Sequence, residues 1–263
     1  MSALKNFVEL CGTTTLDDIE SFVHPDWEPE ANMDFDRNRS QSLASGEAKP
    51  MLRLYSWKPF AVSLGAHQRE SDISRDACER LGVGVVRRPT GGRAIFHANE
   101  LTYSLAVPLT AINDPQRTAH DIYREVHLLM LRALHSLGAG QLDFEKKQPN
   151  FRAHYKSGNV AMPCFASSAR YELLLHGRKV VGSAQKLYGN VVLQHGSVLL
   201  GEGHERLADV LNLANAEERS ALRQTLLERS ATLEEACGRG VSFAECAEAI
   251  QKTFMSGLAT EGS

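Results

Sequence analysis

The sequence has few cysteines and no CxxC pair. Cys11, Cys78, Cys164, Cys237 and Cys246 are widely spaced and odd in number. That excludes a disulfide framework and a zinc knuckle, and it fits a reducing cytoplasm. No apolar run is long enough to cross a bilayer. The first residues, MSALKNFVELCGTTTLDD, lack the basic and apolar stretches of a signal peptide, so no membrane association is expected. Neither sign of charge dominates: 29 basic and 32 acidic residues leave a net charge of −3, which excludes a general nucleic-acid surface. Repeats and low-complexity segments are absent. So are the GxxxxGK[ST] phosphate loop and a dinucleotide fingerprint opening a helix. No metal or other cofactor is indicated.

What is present is a globular composition, 43% apolar and 23% charged over 263 residues, enough for one large domain or one domain with a small appendage. Three parts are expected: a weakly patterned, turn-rich lead-in over 1–26, a main domain over 27–203 and a helical extension over 204–263. A polar helix is expected from Met33 to about Ala44. Strands are expected at MLRLYSW, FAVSLG and VGVVRRP, and at RAIFH and LTYSLAVPL, the last two joined by the turn ANE. DISRDACERLG reads as a short helix capped by Asp72 or Ser74 and stopped at Gly82. The clearest helix has Ile122, Val126, Leu129, Ala133 and Leu137 at helical spacing, with Asp114-Pro115 suited to its start and Gly138 to its end. YELLL, RKVVGSA and NVVLQHGSVLL read as strands separated by the turns HG and YGN. Capping boxes at 232–235 and 242–245 mark helices beyond residue 204. The fold class is α+β, a mixed sheet with helices outside it.

Two motifs carry chemistry. In RRPTGGRAIFHANELTYS, Gly91 and Gly92 let a ligand approach backbone N–H groups, and Arg87, Arg88 and Arg93 could bind an anion. The plain alternative is a tight turn with solvated arginines, with His97 a hydrogen-bonded structural histidine and Glu100 a turn residue. In PCFASSARYELLLHGRKVVGSAQ, Cys164 stands in a polar loop and Lys179 in an apolar strand. A thiol at about pKa 8.5 is only a few per cent ionised at neutral pH, and a nearby ammonium that lowers it to about 7 raises the thiolate roughly fifteenfold. The alternatives are a small buried cysteine and a lysine pointing to water. The small residues Gly182, Ser183 and Ala184 after the lysine, and Gln194, His195 and Gly196 on the next strand, favour a ligand-facing strand end.

These residues resemble a known family. RRPTGGRAIFH is similar to the Arg-Arg-x-Ser/Thr-Gly-Gly-x-Ala-x-x-His signature of lipoate–protein ligases and octanoyltransferases, which share a catalytic fold with biotin–protein ligases. CFASSARYELLLHGRKVVGSAQKLYGNVVLQHGSVLL, LRLYSWKPFAVSLGAHQ and NMDFD resemble the octanoyltransferase branch with an acyl-cysteine intermediate. The resemblance spans roughly residues 27 to 201. It implies a mainly antiparallel sheet flanked by helices, as in biotin and lipoate ligases. It implies Cys164 as the thioester nucleophile and Lys179 as the cation that lowers the thiol pKa. Arg88, Thr90, Gly91, Gly92, Arg93 and His97 would line the acyl site with Gly182, Ser183, Ala184, His195 and Gly196. The sequence departs from the family at Ala98, where an aspartate is common, and at Arg37.

The implied reaction moves an octanoyl group from acyl carrier protein to a lysine of a lipoyl-domain protein, such as glycine cleavage H protein or a 2-oxoacid dehydrogenase subunit. It needs no ATP. Arg87, Arg88 or Arg170 could dock an acidic carrier. The alternatives are an ATP-dependent lipoate ligase, octanoyl transfer between lipoyl-domain proteins, a cysteine hydrolase using His97 or His195 as base, and a non-catalytic scaffold.

Overall fold

The structure, a computed structural model, describes residues 19–109, 118–144 and 171–259. The chain opens with β1 (Glu20–Trp27), α1 (Pro29–Ala44), β2 (Met51–Trp57) and β3 (Ala61–Leu64). Next come α2 (Arg75–Leu81), β4 (Gly84–Arg87), β5 (Ile95–His97), β6 (Glu100–Pro108), α3 (Ala119–Ser136) and β7 (Leu142–Phe144). Then follow β8 (Leu173–Leu175), β9 (Arg178–Tyr188), β10 (Val191–Leu199), α4 (Leu207–Val210), α5 (Ala216–Arg229), α6 (Leu233–Cys237) and α7 (Phe243–Ala259).

Seven strands form one sheet in the order β1-β2-β6-β10-β9-β8-β7. Only β1–β2 is parallel there; the other pairs are antiparallel. A second sheet has the order β4-β3-β5. The expected mixed, mainly antiparallel α+β class is what the chain adopts. On β6, Leu101, Tyr103, Leu105 and Val107 enter the main core, and Glu100, Thr102 and Ser104 alternate onto the opposite face, where they are also buried. Both faces of the large sheet are therefore covered, and its inner strands β2, β6 and β10 are buried almost throughout, polar residues included.

The main core joins the large sheet to Ile122, Val126, Leu129, Ala133 and Leu134 of α3 and to Cys246, Ile250 and Phe254 of α7. Ala231 and Leu233 belong to the same core. A second core joins Val62, Leu64 and Phe96 of the small sheet to Leu207, Val210, Leu211 and Leu226. The helices beyond residue 204 thus complete both cores.

Local signals place several ends correctly. Ser74, not Asp72, caps α2 by accepting from Ala77 N at 3.3 Å, and Gly82 closes it with φ of 60°. His176 and Gly177 both take positive φ, 49° and 80°, the turn geometry that suits a two-residue hairpin. The box at 232–235 is complete. At 242–245 the Ser242 hydroxyl accepts from Glu245 N, but Glu245 spends its carboxylate on Arg239. Asp114-Pro115 lies outside the described residues.

Two expectations change. The lead-in is not all turn: residues up to Trp27 make β1, an edge strand of the large sheet. α1 begins four residues before Met33, with Pro29 in its first turn, where a missing N–H costs nothing. The expected turn between β5 and β6 is present, and it carries the chain from the small sheet to the large one.

α1 docks through polar groups. Asn32, Met33, Asp36 and Ser40 are its buried stripe. Arg53 of β2, fully buried, donates to Asp36 Oδ1 at 3.0 Å, to the Asn32 carbonyl at 3.1 Å and to Asn32 Oδ1. Its guanidinium also lies 4.0 Å from the Tyr55 ring centre. Removing one partner would leave an uncompensated buried charge. Arg53→Ala should therefore cost about 3–5 kcal/mol in urea unfolding, against well under 1 kcal/mol for the exposed Arg37→Ala.

Candidate functional site

A cavity lies where α1 and the small sheet meet the large sheet. Register sets Gly182, Ser197, Thr102 and Tyr55 side by side on β9, β10, β6 and β2. All four line the cavity, with Met33, Trp57 and Ile95 as further apolar walls. It therefore runs across four strands, about 14 Å at ~4.8 Å per strand spacing. It encloses about 20 Å³, little more than a water-sized sphere, so a ligand enters only if its walls move.

One wall is a committed polar network. His97 Nδ1 is 2.7 Å from Glu100 Oε1, and Nε2 is 2.7 Å from Ser63 Oγ. The ionised Glu100 carboxylate can only accept, so His97 donates from Nδ1; neutral His97 then accepts at Nε2 from the Ser63 hydroxyl, which itself accepts from Arg88 at 3.0 Å. Burial pushes the Glu100 carboxyl up, but His97, Ser197 and Thr102 outweigh it and hold the group below its ordinary value. Arg88 also donates to the carbonyls of Ser63, Gly91 and Arg93. Its role is to lock the glycine loop. It is 5% exposed, so it does not dock a partner. Arg87 is likewise spent on the carbonyls of Gly65 and Gln68.

A second cluster joins that loop to α1. Thr90 Oγ1 is 3.4 Å from His195 Nδ1. His195 Nε2 lies 3.0 Å from Asp36 Oδ2, an ion-pair distance without hydrogen-bond alignment. Tyr55 donates to the same oxygen at 3.0 Å. Burial raises the Asp36 carboxyl, yet His195 and Arg53 together hold it below its ordinary value.

Lys179 does not point to water. It is 3% exposed, and its Nζ is 2.7 Å from Glu172 Oε2, itself 3% exposed. The β8–β9 register shifts between Leu173 and Leu174, and Val180 and Val181 both join the main core. Lys179 stands three residues before Gly182 on β9. Its carbonyl accepts from Ala231 N at 2.9 Å, so the segment between α5 and α6 pins it.

Ser183 lines the cavity, but its hydroxyl is drawn into a chain of hydrogen bonds. Tyr103 Oη is 2.6 Å and His127 Nε2 is 3.0 Å from Ser183 Oγ. His127 Nδ1 is 2.8 Å from the Tyr123 carbonyl, to which it donates, leaving Nε2 to accept. Gln194 donates to Tyr103 Oη at 2.9 Å. Gly196 is required here: a Cβ would overlap the Tyr103 ring and Ser183 Oγ.

Of the residues singled out in the sequence, Arg88, His97, Gly182, Ser183 and Ala184 line the cavity, as do His195 and Gly196. Thr90, Gly91, Gly92 and Arg93 do not; they form the adjoining loop. Cys164 and Arg170 lie outside the described residues.

The lipoyl protein ligase A/B catalytic domain model matches residues 28–255. The chain belongs to that family. Its relatives include the octanoyltransferase LipM of Lysinibacillus sphaericus, 34% identical over 89% of this chain and 84% of that protein. That of Exiguobacterium sibiricum is 36% identical over 88% and 83%. Among solved structures, a bipartite lipoate protein ligase from Thermoplasma acidophilum superposes with a TM-score of 0.66 at 18% identity, covering 92% of this chain and 84% of that one. A lipoate-protein ligase A bound with ATP gives 0.66 at 19% identity, covering 91% and 85%. These two show the shared fold.

In this lipoyl protein ligase A/B domain, the described thiols are poor nucleophiles. Burial pushes Cys78 and Cys237 up, and Cys246 to about 12. Glu172, His127 and Asp36 escaped the sequence reading. Only Asp36 had a signal, within NMDFD; Glu172 and His127 sit in ordinary strand and helix patterns.

Among the described residues, no group of three or more His, Cys, Asp or Glu is placed to hold a metal ion, and no helix is long and apolar enough to cross a membrane. His127 supplies a pH test. Burial lowers its pKa from 6.5 to about 4; the hydrogen bond to the Tyr123 carbonyl opposes this in part, and the Lys179 charge adds a smaller push downward. Below 6.5 the unfolded chain takes up a proton that the folded one refuses. Stability is full above that value and falls until the folded group titrates near 4, by on the order of 3 kcal/mol. Urea titrations of wild type and His127→Gln should diverge in this window, the variant losing less.

Proposed function

We propose that this chain transfers an octanoyl group from acyl carrier protein to a lysine of a lipoyl-domain protein through a thioester on Cys164. The observation that carries the reading is the buried Lys179 ammonium on β9, in a chain whose relatives over more than four-fifths of its length are octanoyltransferases. Lys179 lowers the thiol pKa. The Cys164 thiolate attacks the donor thioester, and the carrier leaves as a thiolate. The acceptor amine then attacks octanoyl-Cys164: the C–N bond forms, the C–S bond breaks with its electron pair on Cys164, and the proton that the amine nitrogen gives up passes to solvent. Passing from thioester to amide is downhill and needs no ATP.

The octanoyl chain takes the place of the cross-strand cavity, whose walls part to admit it; the four strands beneath span about 14 Å, against the ~9 Å of an extended eight-carbon chain. Each buried CH₂ is worth about 0.8 kcal/mol, so two carbons more or fewer alter binding near tenfold.

Mixing the protein with octanoyl carrier protein should add one octanoyl mass at Cys164, read by peptide mass spectrometry. Cys164→Ala should abolish transfer to a lipoyl domain; retained transfer would refute the mechanism. Lys179→Ala should slow capture at neutral pH about tenfold or more, through a higher thiol pKa.

A further inference from the structure

We propose that Glu172 is a positioning residue for this reaction: its carboxylate keeps the buried Lys179 ammonium charged and aimed, and through it keeps the nucleophilic thiol ionised. The proposal rests on the transfer reading, in which Cys164 is the nucleophile. Lys179 and Glu172 are each 3% exposed and meet at 2.7 Å. An ammonium buried without a counter-charge gives up its proton, and a neutral amine no longer stabilises a thiolate. A carboxylate in contact reverses that balance.

The backbone is arranged for this contact. Tyr171, just before Glu172, adopts φ of 71°, a left-handed conformation that a bulky residue takes only when its surroundings impose it. Across the ladder, Leu174 stands opposite Lys179. On the other side Ala231 N holds the Lys179 carbonyl, while Arg178 reaches Glu235 of α6 at 2.6 Å. Two buried titratable groups that sense the pair stay neutral around pH 7. His127 of α3, which senses the Lys179 charge, is lowered to about 4, and Tyr103 of β6, which senses the Glu172 charge, is raised to about 12. The thiol proton leaves to solvent, and Lys179 keeps its own.

The test is the pH profile of Cys164 alkylation by iodoacetamide, resolved from the other cysteines by peptide mass spectrometry. Glu172→Gln should move the midpoint up by about one pH unit, and Glu172→Asp should restore most of it. In a Lys179→Met background, Glu172→Gln should add no further shift, because Glu172 acts only through the lysine. The proposal is overturned if the Glu172→Gln profile matches wild type, if it moves to lower pH, or if its shift persists in the Lys179→Met background. Circular dichroism and thermal melting check that each variant is folded; if Glu172→Gln is not, Glu172→Asp and the Lys179→Met background carry the test, an Asp profile displaced like that of Lys179→Met overturning it. Octanoyl capture by wild type is scored separately: its failure would remove the transfer reading while the alkylation profiles still report on the pair.

Discussion

The Asp36 carboxylate is the constraint on which the site's shape depends. It is fully buried and would be unstable alone. Arg53 of β2, Tyr55 of the same strand and His195 of β10 converge on it. These contacts dock α1 across the sheet, which is why a helix with so weak an apolar face packs here at all. They also orient His195, which reaches Thr90 beside the glycine loop. A polar tie of this kind adds little net stability over a well-packed apolar one, but it permits a single register between helix and sheet.

That tie and the Lys179–Glu172 pair solve different problems. The first makes a wall and is complete in itself, with the Arg53 charge offset by the Asp36 charge. The second holds a cation at a strand position pinned by the C-terminal segment. A lysine in water would move its proton and its head group freely. A buried lysine in contact with a carboxylate has its head group held in place. The helices beyond residue 204 contribute through the two cores and through the Ala231–Lys179 bond.

Much of the fold was legible. The inner strands, α3 and the turns carry short-range signals: period-two and period-3.6 apolar spacing, Ser74 and Gly82 at the ends of α2, and His176-Gly177 at the hairpin. β1 was missed because HPDW reads as turn chemistry, and a parallel edge strand is set by its neighbour β2. The start of α1 was missed because its buried stripe is polar. The separation of β5 and β6 into different sheets was not legible, since a turn between two strands looks the same whether or not they pair. In the site, the cavity-lining glycines and His195 were legible from motif. The locking role of Arg88 was not, because a buried guanidinium and a solvated one have the same letter.

The sequence by itself determined the family, the strand-and-helix grammar and the cluster of small residues after Lys179, because these depend on residue type and close spacing. Only the tertiary structure decided that Lys179 is buried against Glu172, that His195 answers to Asp36 and that His127 stays neutral. Those facts are set by burial and by charges brought together from strands and helices far apart in the chain, and no local pattern encodes the field that distant residues create.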